Sequence, residues 1–192
     1  MIVIIIGPPG SGKSTQSKLL SKLLGVPSVS MGQVLRDARA SGTIIGLEAY
    51  KYVVDGKLVP SKLMEALTKF RLEEDDCKDG FILDGAPRKV EEAVILDDYL
   101  TRRGRKINSV LIIELPEEVT IKRLLKRKAL PKESGGGRDD DNMEDIKIRV
   151  SEYRENIDVI KKYFESKDLV HMIDGRPTIE EIYNSIRSLF QL

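Results

Sequence analysis

The first residues that could carry chemistry lie in a glycine-rich loop near the start of the chain. Residues 7–14 read Gly-Pro-Pro-Gly-Ser-Gly-Lys-Ser, which fits the spacing G-x-x-x-x-G-K-[ST], and Thr15 follows. Glycines let successive backbone N–H groups converge on phosphate oxygens, and a helix that begins in the loop adds the positive end of its dipole. We therefore predict a site for the phosphates of a nucleoside triphosphate, formed by Gly10, Ser11, Gly12, Lys13, Ser14 and Thr15.

Two kinds of side chain in this loop have distinct chemistry. Lys13 supplies a positive charge for the β- and γ-phosphates, and the hydroxyl of Ser14 or Thr15 can ligate Mg²⁺. The context is the required one, because an apolar run precedes the loop and an amphipathic segment follows it. The loop does not name a substrate, since ATPases, GTPases and small-molecule kinases share it.

A second candidate site follows another apolar run, at residues 80–83, where the chain reads Asp84-Gly85-Ala86-Pro87-Arg88. A carboxylate at the end of a strand beside a phosphate-binding loop is placed to organise Mg²⁺, and Arg88 could reach a phosphate from there. Alone, the Asp-Gly pair indicates only a turn. The glycine-rich loop gives it a functional meaning.

Five short apolar runs provide the strands that would carry these loops. Longer segments with helical periodicity separate the runs, which predicts an α/β P-loop fold with a five-stranded parallel sheet flanked by helices. The runs lie at residues 2–6, 26–30, 80–83, 109–115 and 169–173.

Two apolar stripes at helical spacing are predicted to belong to the core. One follows the glycine-rich loop and comprises Leu19, Leu20, Leu23 and Leu24. The other, near the end of the chain, comprises Ile179, Ile182, Tyr183, Ile186, Leu189 and Phe190. Thr178 and Glu181 have the spacing of a capping box that would start this second helix.

Composition argues against several functional classes. The 192 residues carry a net charge of only +1, so no overall field favours nucleic acid or an anionic membrane. The apolar run at 2–6 is too short for a signal peptide or a membrane span. The only cysteine, Cys77, cannot form an internal disulfide or a Cys-based zinc site, and the only histidine, His171, is expected to pack within a strand.

These motifs together resemble those of the adenylate kinase family of nucleoside monophosphate kinases, nearly from end to end. Residues 7–16 resemble the family's G-x-P-G-x-G-K-x-T-Q loop, and residues 84–88 resemble its D-G-F-P-R segment. Further matches follow in the family's order: 31–36 (T-G-D-x-L-R), 55–60 (G-x-L-V-P), 123–127 (R-L-x-x-R) and 138–142 (S-G-R-x-D-D-N), with Arg149 at the family's spacing beyond.

The resemblance implies one nucleoside monophosphate kinase domain, residues 1–192, that transfers the γ-phosphoryl group of ATP with the help of Mg²⁺ and without structural zinc. Residues 30–59 would form a monophosphate-binding insertion, and residues 128–138 a short lid. Its ligands would be small-molecule nucleotides, with no nucleic acid or membrane partner. The family default is a monomer, and a single cysteine suits a reducing cytoplasm.

The resemblance also assigns roles to individual residues. On the donor side it places Arg123, Arg127 and Arg176 beside ATP, together with the glycine-rich loop. On the acceptor side it selects Met31, Arg36, Lys57, Leu58, Val59, Gly85, Arg88, Glu92, Arg138 and Arg149. The catalytic set would be Lys13, Arg88, Arg127, Arg138 and Arg149. Ser14 and Asp84 would hold Mg²⁺, directly or through water.

Helical spacing supports part of this assignment independently. Arg123 and Arg127 are four residues apart and would share a helical face. Arg138 and Arg149 are eleven apart, close to three turns, and would share a face if one helix holds both. The three glycines at 135–137 would allow the lid to close once both substrates are bound.

Four residues depart from the adenylate kinase pattern, all on the side of the acceptor base. Met31 replaces a threonine, Gln33 an aspartate, Ala86 an aromatic residue and Glu92 a glutamine. An ionised glutamate only accepts hydrogen bonds, so it would suit the N–H donors of guanine or the amine of cytosine. Glu91 could instead be the nearer carboxylate. We expect AMP as the first acceptor, CMP or UMP as the second and GMP as the third.

Two other functional classes remain open from the sequence. A kinase for a small hydroxylated substrate would share the loop but would not need Arg36, Arg88, Arg138 and Arg149. A non-catalytic nucleotide-binding regulator would bind ATP yet turn over no monophosphate.

Overall fold

A central sheet of five parallel strands organises the chain in the computed structural model, which describes residues 1–54, 57, 59–129 and 143–191. The strands are β1 (Ile2–Ile6), β2 (Ser28–Ser30), β3 (Phe81–Asp84), β4 (Ser109–Glu114) and β5 (Val170–Asp174). Their order in the sheet is β2-β3-β1-β4-β5. The predicted fold class, an α/β fold with a five-stranded parallel sheet, is confirmed.

Helices connect the strands and cover the sheet. They are α1 (Lys13–Leu24), α2 (Met31–Ala40), α3 (Ile44–Val54), α4 (Ser61–Leu72), α5 (Val90–Thr101), α6 (Glu117–Lys128), α7 (Met143–Glu165) and α8 (Ile179–Leu189). A short 3₁₀ helix spans Asp75–Cys77. Among the described residues, no helix combines the length and apolar character needed to cross a membrane.

The sheet register brings the two sequence motifs to one edge. β1 lies between β3 and β4, with Ile5 opposite Asp84 and Ile6 opposite Ile112. Because the strands are parallel, their carboxyl ends lie on the same edge, where α/β proteins bind ligands. The loop after β1 and the residues after β3 are therefore neighbours in space.

The predicted second strand is shorter than its apolar run. β2 begins at Ser28 rather than at residue 26, since Pro27 has no N–H to donate to a neighbouring strand. Its carbonyl still accepts a hydrogen bond from the Ile82 N–H at 2.8 Å. The short strand ends at Ser30, and α2 follows directly.

The alternation of side chains along β1 divides the core into two layers. Ile4 faces one layer, which includes Met31, Leu35 and residues of α4, α5 and α7. Ile5 faces the other, which includes Leu20 of α1 and two isoleucines of α8. Every residue of β1 is buried, as expected for a strand with helices on both sides.

The two apolar stripes only partly match the core. Leu20, Ile182 and Ile186 are buried, but Ile179 is 58% exposed and Leu189 is 40% exposed. These two residues are the first and last of α8. The predicted capping box is confirmed, because the Glu181 N–H bonds Thr178 Oγ1 and the Thr178 N–H bonds Glu181 Oε2.

The single histidine lies in β5, and the structure describes most of the first predicted insertion but little of the second. His171 is half-buried in β5, opposite Leu111. Helices α2 and α3 occupy most of the predicted insertion at 30–59 and pack against each other, and α2 and α3 each also contact α4. Of the predicted lid at 128–138, only Lys128 and Ala129, at the end of α6, are among the described residues.

Candidate functional site

A cleft of about 670 Å³ opens at the carboxyl edge of the sheet. This volume lies within the range typical of sites for small molecules and cofactors. The glycine-rich loop, the Asp84 turn and cationic residues of α6 and α7 line it: Gly7, Gly10, Gly12, Lys13, Ser14, Thr15, Asp84, Gly85, Arg88, Arg123, Arg127 and Arg149. Most of the residues expected to contact phosphate therefore come together in one cleft.

The backbone of the loop depends on glycine at two points. A Cβ on Gly7 would lie 2.6 Å from the carbonyl oxygen of Ile113, so no side chain fits there. Gly12 is the N-cap of α1 and has φ of 92°, in the left-handed region that glycine adopts readily. The Thr15 and Gln16 N–H groups turn back to the Gly12 carbonyl, which starts the helix directly beneath the loop. The positive end of the α1 dipole thus faces the cleft.

The side chain of Lys13 folds back onto the start of the glycine-rich loop. Its Nζ donates to the carbonyl oxygens of Gly7 and Pro8, at 2.8 Å each. Burial lowers the pKa of Lys13 from 10.5 to about 8, the negative charge of Asp84 opposes this shift, and nearby arginines add to it. These arginines are Arg88, Arg127 and Arg149. Lys13 and these three arginines all line the cleft, which is an arrangement for binding a highly charged anion.

Ser14 and Asp84 join the loop to β3. Ser14 Oγ donates to Asp84 Oδ2 over 2.5 Å, and Asp84 is only 3% exposed. Ser11, also predicted to line the site, is fully buried, and its Oγ has no hydrogen-bond partner among the described residues. The pair of Ser14 and Asp84 offers oxygen atoms, the donor type that Mg²⁺ prefers.

Arg88 is held at both its backbone and its side chain. Its Nε donates to the Gly85 carbonyl at 2.9 Å, and its backbone N–H donates to Glu92 Oε2 at 2.8 Å. Burial raises the pKa of Glu92, and hydrogen bonds from the backbone of Arg88 and Lys89 oppose that rise. Glu91, the alternative carboxylate, is exposed. Glu92 is thus the glutamate that faces the Asp84 turn.

The remaining predicted acceptor residues that the structure describes are not among those that line the cleft. Met31 is fully buried, and its sulfur accepts a hydrogen bond from Thr68 Oγ1 at 3.6 Å. Arg36 is exposed and donates from Nε and Nη2 to Gln33 Oε1, at 3.2 and 2.7 Å. Lys57 is exposed and Val59 is buried. Leu58 and Arg138 lie outside the described residues.

The donor-side arginines divide into two groups. Arg123 and Arg127 both line the cleft, as their four-residue spacing predicts, and buried Leu124 lies between them in sequence. Arg176 is not among the lining residues; it forms a bidentate ion pair with Asp174 and lowers the pKa of that carboxyl to about 2. Arg123 Nη2 contacts the Arg176 carbonyl oxygen at 3.3 Å, which ties α6 to the segment after β5.

Sequence reasoning missed two groups of residues that line the cleft. Glu152, Tyr153, Ile157 and Ile160 of α7 line it, and so do Lys18, Leu19 and Lys22 of α1. The α7 residues follow Arg149 at intervals of three, four, eight and eleven, so extending its helical face would have found them. Leu19 had been predicted to be core. The pKa of Tyr153 is raised by burial and by the negative charges of Glu114 and Asp158.

Comparison with known proteins agrees with this geometry. A sequence model of the adenylate kinase family, described as "Adenylate kinase", matches residues 5–169. An adenylate kinase of Archaeoglobus fulgidus is 36% identical over 100% of this chain and 98% of its own. Adenylate kinases of Corynebacterium aurimucosum and Leptospira biflexa are 41% and 39% identical, over 95% and 96% of this chain and 94% and 96% of their own. The match thus extends over both the glycine-rich loop and the arginine-lined cleft, and the chain belongs to the adenylate kinase family.

Proposed function

We propose that the protein transfers the γ-phosphoryl group of ATP to AMP and releases two molecules of ADP. As a member of the adenylate kinase family, the protein is a phosphotransferase. The observation that carries the proposal is the convergence of Lys13 with Arg88, Arg127 and Arg149 in one cleft beside Asp84. Two nucleotide phosphate chains brought together carry a large negative charge, which such a set of cations neutralises.

The donor phosphates would lie on the glycine-rich loop. Backbone N–H groups of the loop, the α1 dipole and Lys13 would bind them, with Arg123 and Arg127 beside them. Lys13 would exchange its bonds to the Gly7 and Pro8 carbonyls for bonds to phosphate oxygens. Arg176 would lie near the donor nucleoside, because Arg123 contacts its carbonyl.

Mg²⁺ would be held where Ser14 and Asp84 meet. The short Ser14–Asp84 hydrogen bond brings a hydroxyl and a carboxylate together at the base of the loop, and both are hard oxygen ligands. Held there, the ion would supply positive charge that neutralises the charge developing on the phosphates. Asp84 would also hold Ser14 in position for it.

The acceptor phosphate would be bound by Arg88, with Arg36 approaching from α2. An acceptor phosphate oxygen is already ionised near neutral pH, so the reaction needs no general base. Arg127, Arg149 and Arg138 would bridge donor and acceptor and stabilise the transferring group. The planar guanidinium fork suits this task because it binds two phosphate oxygens at once.

The predicted insertions form part of the same proposal. Residues 30–59 would bind the monophosphate, with contacts from Met31, Lys57, Leu58, Val59 and Gly85, and residues 128–138 would close over the donor. Since Met31 is buried with its sulfur on Thr68, we expect its backbone rather than its side chain to meet the nucleotide. Lid closure would exclude water, which competes with AMP as an acceptor. The proposal also includes a monomeric, cytoplasmic protein.

AMP is favoured as the acceptor because the relatives quoted above are named adenylate kinases. The test is an assay of the purified protein with ATP and Mg²⁺ against AMP, CMP, UMP, GMP and dTMP. We expect the highest kcat/KM with AMP. A preference for another monophosphate would replace AMP in the proposal, and ATP binding without turnover of any monophosphate would refute it.

A further inference from the structure

Glu92 accepts a hydrogen bond from the protein backbone, a contact that a residue recognising the acceptor base would not need. Its Oε2 accepts the backbone N–H of Arg88 at 2.8 Å, across the segment where the Asp84 turn becomes α5. On the other side of the same turn, Arg88 Nε donates to the Gly85 carbonyl at 2.9 Å. Arg88 is therefore fixed from both ends, with Glu92 holding the backbone and Gly85 the guanidinium.

The surroundings of Glu92 agree with this structural use. Glu92 lines a second pocket of about 30 Å³, which shares Ala86 and Pro87 with the main cleft. Apolar side chains dominate this pocket, among them Met64, Leu83 and Leu96. Burial on this side raises the pKa of Glu92, and the hydrogen bond from the Arg88 backbone opposes that rise. The second pocket is far smaller than the main cleft.

Position along α5 adds a further reason for a carboxylate. Glu92 lies in the first turn of the helix, where the unpaired N–H groups and the positive end of the dipole favour a negative charge. Glu91 lies in the same turn but is exposed, and the contact to Arg88 is made by Glu92. The two neighbours have the same chemistry and different positions, so Glu91 serves as a control.

We propose that Glu92 is a positioning residue for Arg88: its carboxylate fixes the Asp84–Arg88 turn so that the guanidinium faces the acceptor phosphate, and it does not read the acceptor base. The inference rests on the proposed function, in which Arg88 binds that phosphate. On this inference, the glutamate that stands at position 92 in place of the family's glutamine serves phosphate binding through Arg88. The base preference then comes from other residues of the acceptor site.

The inference is tested by steady-state kinetics of wild type, Glu92→Gln, Glu92→Ala and Glu91→Ala with AMP, GMP and CMP. Glu92→Ala should raise KM by one common factor for every monophosphate that the enzyme accepts. We expect a factor of about 10, for the loss of a charge-assisted hydrogen bond. KM for ATP should stay unchanged. Glu92→Gln keeps an acceptor oxygen and should restore most of the affinity. Glu91→Ala should match wild type.

A double-mutant cycle with Arg88→Ala separates positioning from a general effect on folding. If Glu92 acts through Arg88, Glu92→Ala should raise the acceptor KM no further once Arg88 is gone. The inference is overturned if Glu92→Gln changes the ratio of kcat/KM between monophosphates, which would make Glu92 a reader of the base. An acceptor KM unchanged in Glu92→Ala would overturn it as well. A wild type that is inactive with every monophosphate refutes the proposed function itself, and with it this inference.

Discussion

Ser14 Oγ lies 2.5 Å from Asp84 Oδ2, so the start of α1 and the end of β3 are joined by a hydroxyl–carboxylate hydrogen bond at the floor of the cleft. The two residues are 70 positions apart in the chain, and the parallel register of β1 and β3 brings them together. Neither residue can bind Mg²⁺ without affecting the other, because the hydroxyl proton lies between them.

Ser14 should therefore contribute to metal binding rather than to nucleotide binding alone. We expect Ser14→Ala to weaken binding of Mn²⁺ in the presence of ATP by about 10-fold, while metal-free ATP binds almost as before. Electron paramagnetic resonance of Mn²⁺ measures the first quantity, and fluorescence titration with ATP and a chelator measures the second. Equal losses with and without metal would show that Ser14 binds phosphate only.

Replacement of Ser14 by cysteine offers a direct spectroscopic signal. A thiolate prefers soft ions, so Ser14→Cys with Cd²⁺ and ATP should give an ultraviolet thiolate-to-metal charge-transfer band if residue 14 is a ligand. Wild type is the matched control, because its only cysteine, Cys77, is fully buried. Absence of the band in a folded, ATP-binding variant would place the metal away from residue 14.

Lys13 should give the free enzyme a pH dependence in the alkaline range. A lysine is charged below its pKa, and burial lowers the pKa of Lys13 to about 8. As pH rises through about 8, the loop should lose a positive charge, and kcat/KM for ATP, which reports the free enzyme, should fall. Tyr153 does not titrate in this range because burial raises its pKa.

Lys13→Arg is the control for this pH profile. A guanidinium stays charged to about pH 12. The kcat/KM of Lys13→Arg, whatever its absolute value, should therefore not change with pH over the range where the wild-type value falls. A fall of the same shape in both proteins would assign the titration to another group.

Local sequence determined the parts of the site that depend on strand ends and helical periods. The glycine-rich loop and Asp84 each come at the end of a strand of a parallel sheet, so the apolar runs and turn residues were enough to predict that both lie at its carboxyl edge. Arg123 and Arg127 needed only the period of a helix, and both line the cleft.

The direction of single side chains on the acceptor side could not be predicted in this way. Met31 is turned into the core by contacts with residues such as Thr68, 37 positions away, and no local pattern encodes that contact. The carboxylate of Glu92 could bond either a nucleotide base or a backbone N–H group. Only the position of the Asp84–Arg88 turn relative to α5 selects the backbone N–H. Ile179 and Leu189 have the right period for the core but lie at the ends of their helix.

Gln33 should tune how freely Arg36 meets the acceptor phosphate. Gln33 Oε1 accepts two hydrogen bonds from Arg36, and its Nε2 donates to Asp37 at 2.7 Å. Gln33→Glu has the same shape and adds a negative charge that competes with phosphate for the guanidinium. We expect it to raise KM for AMP by about 2–5-fold, the size of an exposed ion pair, with kcat and KM for ATP unchanged.

The matched control for this change is Gln33→Met, which keeps the length of the side chain and has no charge. It should leave KM for AMP at or below the wild-type value, because nothing then competes for Arg36. If Gln33→Glu and Gln33→Met have the same KM, Arg36 does not take part in acceptor binding.

Arg88 should be the arginine whose loss most directly separates acceptor binding from donor binding. It lines the cleft on the β3 side, is held by Gly85 and Glu92, and lies near enough to Lys13 to affect its charge. We expect Arg88→Ala to lower kcat/KM for AMP by about 10³–10⁵-fold, as for arginines that stabilise a transferring phosphoryl group.

Arg102→Ala, which removes an exposed arginine paired with Asp98 at the far end of α5, should have wild-type kinetics. The dissociation constant for ATP, measured without AMP, should change little in Arg88→Ala, since the donor phosphates would lie on the loop and α6. Near-normal turnover in Arg88→Ala would mean that the acceptor phosphate is bound elsewhere, and the assignment of the two sides of the cleft would then be wrong.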